Sequence, residues 1–388
     1  MAQCGSICGN TGHKGRTGWP CACSESEAGT VRKTLQGLIP YKVASEQADV
    51  IRLDNNEAYT SLLSYIDFSE LEQTLLNRYP DKSTEALIEA YSKFSGYPAG
   101  NILAGNGSDE CITLISQYSL DPGDSVIVLE PDFSMYEKNA RVMGAKVATI
   151  QLNDDFSLPL EKIKADIQSL KPKLLFLSNP NNPTGRLYGK EEIEALIQSM
   201  NQAGGILVLD EAYMDFAGES AFAKKVIDYD NLIILRTASK ALGMAALRLG
   251  FIIANDRIIE GITAVKPPYN VNTVSAQIGT QLLKKPELLD QFLIMQLAQI
   301  AELEEIMKEF TGRVPGSILY PSSTNFILMR TERAKDIADF LYERKIKIRL
   351  FDNGSLEAVR VSAGTVEEHS KLKEALMNWS DNHASSVK

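Results

Sequence analysis

The sequence predicts an α/β protein, with a large domain whose mostly parallel sheet is flanked by helices and a smaller α+β domain beside it. Three observations carry that expectation. The middle of the chain alternates short β-branched runs with longer amphipathic stretches, the texture of strands covered by helices. The runs are short and apolar and read as buried strands. The 388 residues, 44% hydrophobic and 23% charged, give a normal globular balance and enough chain for one large domain or two ordinary ones.

Taken in order, residues 1–29 carry repeated Gly and almost no large aliphatic side chains. They cannot bury enough surface to offset ordering entropy, and they read as a disordered Cys/Gly-rich tail. Residues 30–67 read as an N-terminal segment packing with the small domain, 68–300 as the large domain, 301–380 as the small domain and 381–388 as a polar tail. Strands are expected at Ser125 to Leu129, Lys146 to Ile150, Leu174 to Leu177, Ile206 to Leu209, Leu232 to Leu235 and Phe251 to Ala254. Helices are expected over Glu110 to Ser119, Ser134 to Met143, Leu160 to Gln168, Lys190 to Gln202 and Val274 to Lys284. An acidic helix over Lys285 to Phe310 connects to the second unit. There, Asn325 to Leu328, Ile346 to Arg349 and Val359 to Val361 read as strands, and Ala334 to Arg344 and Glu367 to Trp379 as helices.

Composition excludes several classes. With 50 acidic against 40 basic residues the net charge is −10, so no broad basic surface is available for nucleic acid or anionic lipid. The three histidines are His13, His369 and His383, which leaves residues 14–368 without an imidazole and rules out Ser-His-Asp, Cys-His and multi-histidine metal sites there. No apolar run approaches the roughly 18 to 20 residues that span a bilayer, and the first residues show no apolar h-region of the kind expected for secretion. A reducing cytoplasm is the expected compartment. Cys4, Cys8, Cys21 and Cys23 crowd the tail with His13. Their CxxxC and CxC spacings do not match the usual paired zinc knuckles, so no metal site is assigned.

A doubly wound sheet binds its ligand at the carboxyl ends of its strands, and four stretches fall there. AGNGSDE, Ala104 to Glu110, is a glycine-rich turn opening a helix, where free N–H groups favour an anion. SNPNNPTG, Ser178 to Gly185, follows one strand. LVLDEAY, Leu207 to Tyr213, sets Asp210 and Glu211 where another emerges. RTASKALGMAALRLGF, Arg236 to Phe251, places Lys240 just past a third, with Arg248 eight residues on. Singly each proves little. Together they supply an amine that can condense with a carbonyl, a carboxylate that can keep a pyridine nitrogen protonated, and anion contacts for a phosphate. A body without histidine agrees with this, because the same lysine can shuttle the proton.

The SNPNNPTG, DEAY and SKA-to-RLG stretches resemble those of fold-type I, pyridoxal-phosphate-dependent class I/II aminotransferases, over about Leu38 to Val366. The resemblance implies that Lys240 forms the internal aldimine and carries the proton, and that Asp210 pairs with the pyridine nitrogen. Tyr213 and Asn182 would hydrogen-bond the phenolate oxygen. Gly107, Ser108, Asp109, Ser239 and Arg248 would hold the phosphate, Phe133 in PDFSMY would stack on the ring, and Arg360 in VRVSAGT would clamp the substrate carboxylate.

IPY at Ile39, NNE at Asn55, NRYPD at Asn77, PPYNVN at Pro267, YPSSTNF at Tyr320 and IKIR at Ile346 resemble histidinol-phosphate aminotransferases. That likeness implies a homodimer with shared active sites, in which Tyr79 reaches the neighbouring subunit's cofactor phosphate, while Asn56, Tyr41 and Arg349 face the substrate. The implied substrates are amino acids and 2-oxo acids: L-histidinol phosphate and 2-oxoglutarate give imidazole acetol phosphate and L-glutamate in histidine biosynthesis. Aromatic or specialised-pathway transamination, and decarboxylation of threonine phosphate, share the same skeleton.

Overall fold

The apolar runs form two sheets in the computed structural model, which describes residues 35, 49–80, 83–223, 225–352, 354 and 356–383. The tail over 1–29, its cysteines and Tyr41 lie outside the described residues. The strands are β1 Ile51–Leu53, β2 Ile102–Asn106, β3 Ser125–Glu130, β4 Lys146–Gln151, β5 Leu174–Ser178, β6 Ile206–Asp210, β7 Leu232–Thr237, β8 Leu249–Ile253, β9 Ile318–Leu319, β10 Phe326–Arg330, β11 Ile346–Asp352 and β12 Glu357–Ser362.

Seven strands pair in the order β2-β8-β7-β6-β5-β3-β4, and β8 alone runs against the other six. In the central strands successive side chains face opposite layers. Phe176, Val208, Ile233 and Leu235 pack with Ile112, Ile115 and Ile258 from the helices Gly107–Ser119 and Asp256–Val265. Leu175, Leu177, Leu207 and Leu209 pack with Ile163, Ile193 and Leu196 from Leu160–Leu170 and Lys190–Ala203. The strand residues named are fully buried, and each contributes about 1.5–3 kcal/mol of burial. This is a parallel-rich sheet flanked by helices on both faces.

From β3 the chain moves outward to β4 and then returns to β5 on the other side of β3. The reversal leaves a crevice at the carboxyl ends of β3 and β5, which is where a ligand can enter.

The second sheet has the order β1-β11-β12-β10-β9. Ile51 of β1 lies opposite Ile346 in a parallel pairing, so the N-terminal segment joins this sheet. The helices Pro286–Thr311, Ala334–Glu343 and Val366–His383 supply Leu303, Met307, Ile337, Leu341, Leu372 and Trp379 to its core.

The helices Ser83–Ser95 and Asp256–Val265 and the strand β9 were not among the expected elements, and two others differ from expectation. β2 is an edge strand where the glycine and asparagine of ILAGN had suggested only a turn. Gly105 lies opposite Gly250 of β8; a Cβ on Gly250 would sit 2.3 Å from the Gly107 carbonyl carbon, a close backbone approach, and one on Gly105 would sit 2.9 Å from Cys111 Sγ. The last helix continues to His383 into the expected polar tail. Asp381 pairs with Arg313 at 3.3 Å and the His383 ring stacks on Trp379, which anchors a turn that polarity alone would leave free.

Candidate active site

A cavity of about 520 Å³ opens at the carboxyl ends of the large sheet, within the size range of small-molecule sites. Asn56, Ser108, Asp109, Phe133, Asn182 and Asp210 line it, as do Tyr213, Ser239, Lys240, Arg248, Arg349 and Arg360. Residues from seven separate chain segments therefore converge on one space.

One end of the cavity is built for an anion. The helix Gly107–Ser119 starts here, and the N–H groups of a first helical turn lack partners within the helix. Gly107 has φ +74°, and a Cβ there would come within 2.5 Å of Arg248 Nη2. Arg248 itself takes a left-handed φ of +52°, which turns its guanidinium back over the turn, where Nη2 meets Asp109 Oδ2 at 3.0 Å. Glu110 does not face the ligand space. It accepts from the Asn106 N–H at 2.6 Å and from Asn270 Nδ2 at 2.8 Å and thereby fixes the turn.

The floor is Asp210, at the end of β6. Its oxygens accept from the Tyr136 hydroxyl at 2.8 Å and the Ala212 N–H at 3.0 Å. Among the described residues no cation pairs with it, and burial pushes its carboxyl up to about 6, against the pull of those two hydrogen bonds. Glu211, next in sequence, points elsewhere and meets Arg236 at 3.1 Å. Tyr136 stacks on Phe176 at 4.8 Å and meets Phe133 edge-on at 5.6 Å.

Lys240, just past β7, donates from Nζ to the Asn55 carbonyl at 3.0 Å and lies 5.7 Å from the centre of the Tyr213 ring. Asn56 donates from Nδ2 to the Tyr213 hydroxyl at 2.9 Å. Its own φ of +54° is held by Ser362, which exchanges two 2.9 Å hydrogen bonds with it, and by Asn325. Arg360, buried on β12, donates to Asn182 Oδ1 and, at 2.8 Å, to the Asp54 carbonyl. Arg349 on β11 lies directly opposite Arg360 in register. Two like charges across a ladder repel, and among the described residues Arg349 has no carboxylate partner, so the pair suits an anion. Phe351 lies 5.8 Å from each guanidinium.

Tyr79 is not in this cavity: it is 80% exposed and stacks on Tyr269 at 5.0 Å. Sequence reasoning missed Tyr136, Asp132 and Ser178 as parts of the site, although each stands inside a motif that was singled out. Tyr136 is one helical turn beyond Phe133, and that spacing was the available signal. His369 is fully buried away from the cavity, accepting from the Gly364 N–H at 2.8 Å, with Nδ1 3.1 Å from Glu302. Among the described residues no cluster of three or more His, Cys, Asp or Glu is arranged for a metal.

The donor set fits a phosphorylated pyridine aldehyde. The anion cradle suits its phosphate, a buried carboxylate without a cation suits its protonated ring nitrogen, and Lys240 offers an amine to its carbonyl.

Residues 42–376 match the family described as Aminotransferase class I and II. The histidinol-phosphate aminotransferase of Clostridium novyi is 40% identical over 344 residues, covering 87% of this chain and 94% of that protein. That of Clostridium kluyveri is 36% identical over 351 residues, covering 89% and 96%. The crystal structure of the histidinol-phosphate aminotransferase from Sinorhizobium meliloti, in complex with pyridoxal-5'-phosphate, superposes with a TM-score of 0.80 at 22% identity, over 91% of this chain and 98% of that one. That likeness speaks for the fold.

Proposed function

The chain belongs to the class I and II aminotransferases, and from that membership we propose that it is a pyridoxal-phosphate-dependent histidinol-phosphate aminotransferase. The reaction converts L-histidinol phosphate and 2-oxoglutarate to imidazole acetol phosphate and L-glutamate. One observation carries the cofactor reading: a buried carboxylate with no ion-pair contact among the described residues and a lysine amine, at the ends of adjacent strands β6 and β7, line one cavity with an anion cradle at its end.

When bound, pyridoxal phosphate supplies an electron sink for a carbanion at the substrate carbon. The chain does the rest. Ser108, Ser239, Arg248 and the backbone at Gly107 and Asp109 hold the phosphate. Asp210 keeps the ring nitrogen protonated, while Asn182 and Tyr213 hydrogen-bond the ring's phenolic oxygen and Phe133 covers its face. Lys240 Nζ would take the proton from the donor's α-carbon in one half-reaction and deliver one to the acceptor's α-carbon in the other. Arg360 and Arg349 meet the anions: glutamate carries a carboxylate where histidinol phosphate carries a phosphomethyl group, and two adjacent guanidiniums accept either one in turn. Asn56 backs the site through Tyr213, and Tyr41 belongs on the substrate side. The reading extends to a cytoplasmic homodimer in which Tyr79 reaches the partner's cofactor phosphate.

The test is a half-reaction screen. Holoprotein should be yellow and bleach with L-glutamate and with L-histidinol phosphate, but not with threonine phosphate. Lys240→Ala should lower kcat by about 1,000-fold or more, within the range for loss of a positioned acid/base. Full activity in colourless protein, or carbon dioxide release in place of glutamate, would overturn the reading.

A further inference from the structure

We propose that Asp132 is a positioning residue that ties the loop after β3, which carries Phe133, to the loop after β5, which carries Asn182. The proposal rests on the cofactor reading above and deepens it. Asp132 Oδ1 accepts the Phe133 N–H at 2.7 Å and the Ser178 hydroxyl, and Oδ2 faces the Ser178 N–H at 3.3 Å. Ser178 Oγ passes the connection on, accepting the Asn182 N–H at 3.2 Å and Asn181 Nδ2 at 3.0 Å. Asn181 Oδ1 in turn accepts the Thr184 N–H and hydroxyl at 3.2 and 2.7 Å, closing the far loop on itself. One carboxyl and one hydroxyl thus set the spacing between the ring that covers the cofactor and the amide that meets its phenolic oxygen.

Two donors converge on Oδ1, the acceptor that carries the link, while the Ser178 N–H addresses Oδ2 at the longer 3.3 Å. Asp132 also does its work as a hydrogen-bond acceptor, since the titratable groups that face it are Asp210 on β6, Tyr136 on the helix Met135–Met143, and Tyr188 beyond β5. None of these is a cation. Burial accordingly raises its carboxyl to about 7, against the pull of the Ser178 and Phe133 hydrogen bonds. The link spans the crevice where the strand order reverses, and beside it runs a longer contact from Asn181 Nδ2 to the Pro131 carbonyl at 3.4 Å.

The experiment compares wild type, Asp132→Ala, Asp132→Asn and Ser178→Ala. The measurements are pyridoxal phosphate affinity, visible circular dichroism of the bound cofactor and melting of the apoprotein. Asp132→Ala and Ser178→Ala should bind the cofactor about 10-fold more weakly, with an altered dichroic band, because each loses at least one buried hydrogen bond. Asp132→Asn keeps Oδ1 as an acceptor and should recover most of the affinity and the native band. The apoproteins should melt within about 3 °C of wild type, a shift of about 2 kcal/mol in a chain of this size. Unchanged affinity and dichroism in Asp132→Ala overturn the proposal while leaving the cofactor reading intact. So does a loss that Asn fails to rescue or that accompanies a larger fall in apoprotein melting, since the role is then only structural. Wild-type protein that takes up no pyridoxal phosphate instead overturns the reading of the site itself.

Discussion

Asp210 sits where its charge is costly. The carboxyl is buried, and its pKa of about 6 lies above that of an exposed aspartate because desolvation outweighs the Tyr136 and Ala212 hydrogen bonds. The sign follows directly: without cofactor the folded chain binds this proton more tightly than the unfolded chain does. The group therefore favours folding as pH falls through about 6 and opposes it at higher pH. A protonated ring nitrogen reverses the preference, because it requires the ionised carboxylate. Pyridoxal phosphate affinity should accordingly fall as pH drops below about 6. Tyr136→Phe removes a donor that favours the ionised form, so the midpoint should move upward. Affinity at pH 7 should then weaken by about 10-fold, the scale of one hydrogen bond to a charged group. Cofactor titrations between pH 5.5 and 8 read both effects, and an identical midpoint in the two proteins would deny the hydroxyl this role.

At the scale of elements, the anion cradle depends on how closely β8 lies under the first turn of the helix Gly107–Ser119. A Cβ on Gly250 would meet the Gly107 carbonyl carbon at 2.3 Å and the Ser108 nitrogen at 2.6 Å, and both atoms are backbone and cannot swing aside. Gly250→Ala should destabilise the protein by about 1–3 kcal/mol as an overpacking change and reduce cofactor affinity as well, because the displaced turn carries Ser108. Thermal melting of apoprotein and holoprotein separates the two: a smaller shift for holoprotein than for apoprotein would contradict the placement of phosphate at this turn. The same pair of glycines marks a limit of sequence reading. β5, β6 and β7 were legible to within two residues because they are buried on both faces and so must be apolar throughout. β2 was not legible, because its pairing partner β8 is distant in sequence and a Cβ on Gly105 would meet Cys111 Sγ at 2.9 Å, a contact that exists only once the helix folds back on the strand.

At the scale of the whole molecule, the residues whose side-chain chemistry is distinctive, Lys240, Asp210, Arg248 and Arg360, could be placed from the sequence. Contacts between segments could not: Tyr136 with Asp210, Asp132 with Ser178, and the facing of Arg349 on Arg360 exist only once β3, β5 and β6 are adjacent and β11 is in register with β12. Among the described residues Tyr79 is the expected site residue that lies outside the cavity, and the proposed reading assigns it to a second subunit's site. Leu75, Leu76 and Tyr79 are 68%, 82% and 80% exposed in one short stretch, and Tyr79 stacks on Tyr269, itself 56% exposed. Clustered apolar side chains of this kind mark interaction surfaces, and a tyrosine proposed to reach a cofactor phosphate yet lying outside its own chain's cavity fits a contact made across a dimer. Sedimentation velocity should therefore find wild type at twice the 42.7 kDa chain mass. Leu76→Asp, which places a charge in the patch, should shift the protein to monomer and weaken cofactor binding together, because the partner's Tyr79 leaves with the partner subunit. Tyr79→Phe should keep the dimer and lose only the hydroxyl's share of the affinity, about 3- to 10-fold. A wild-type monomer with full cofactor affinity would show that each site is complete within one chain.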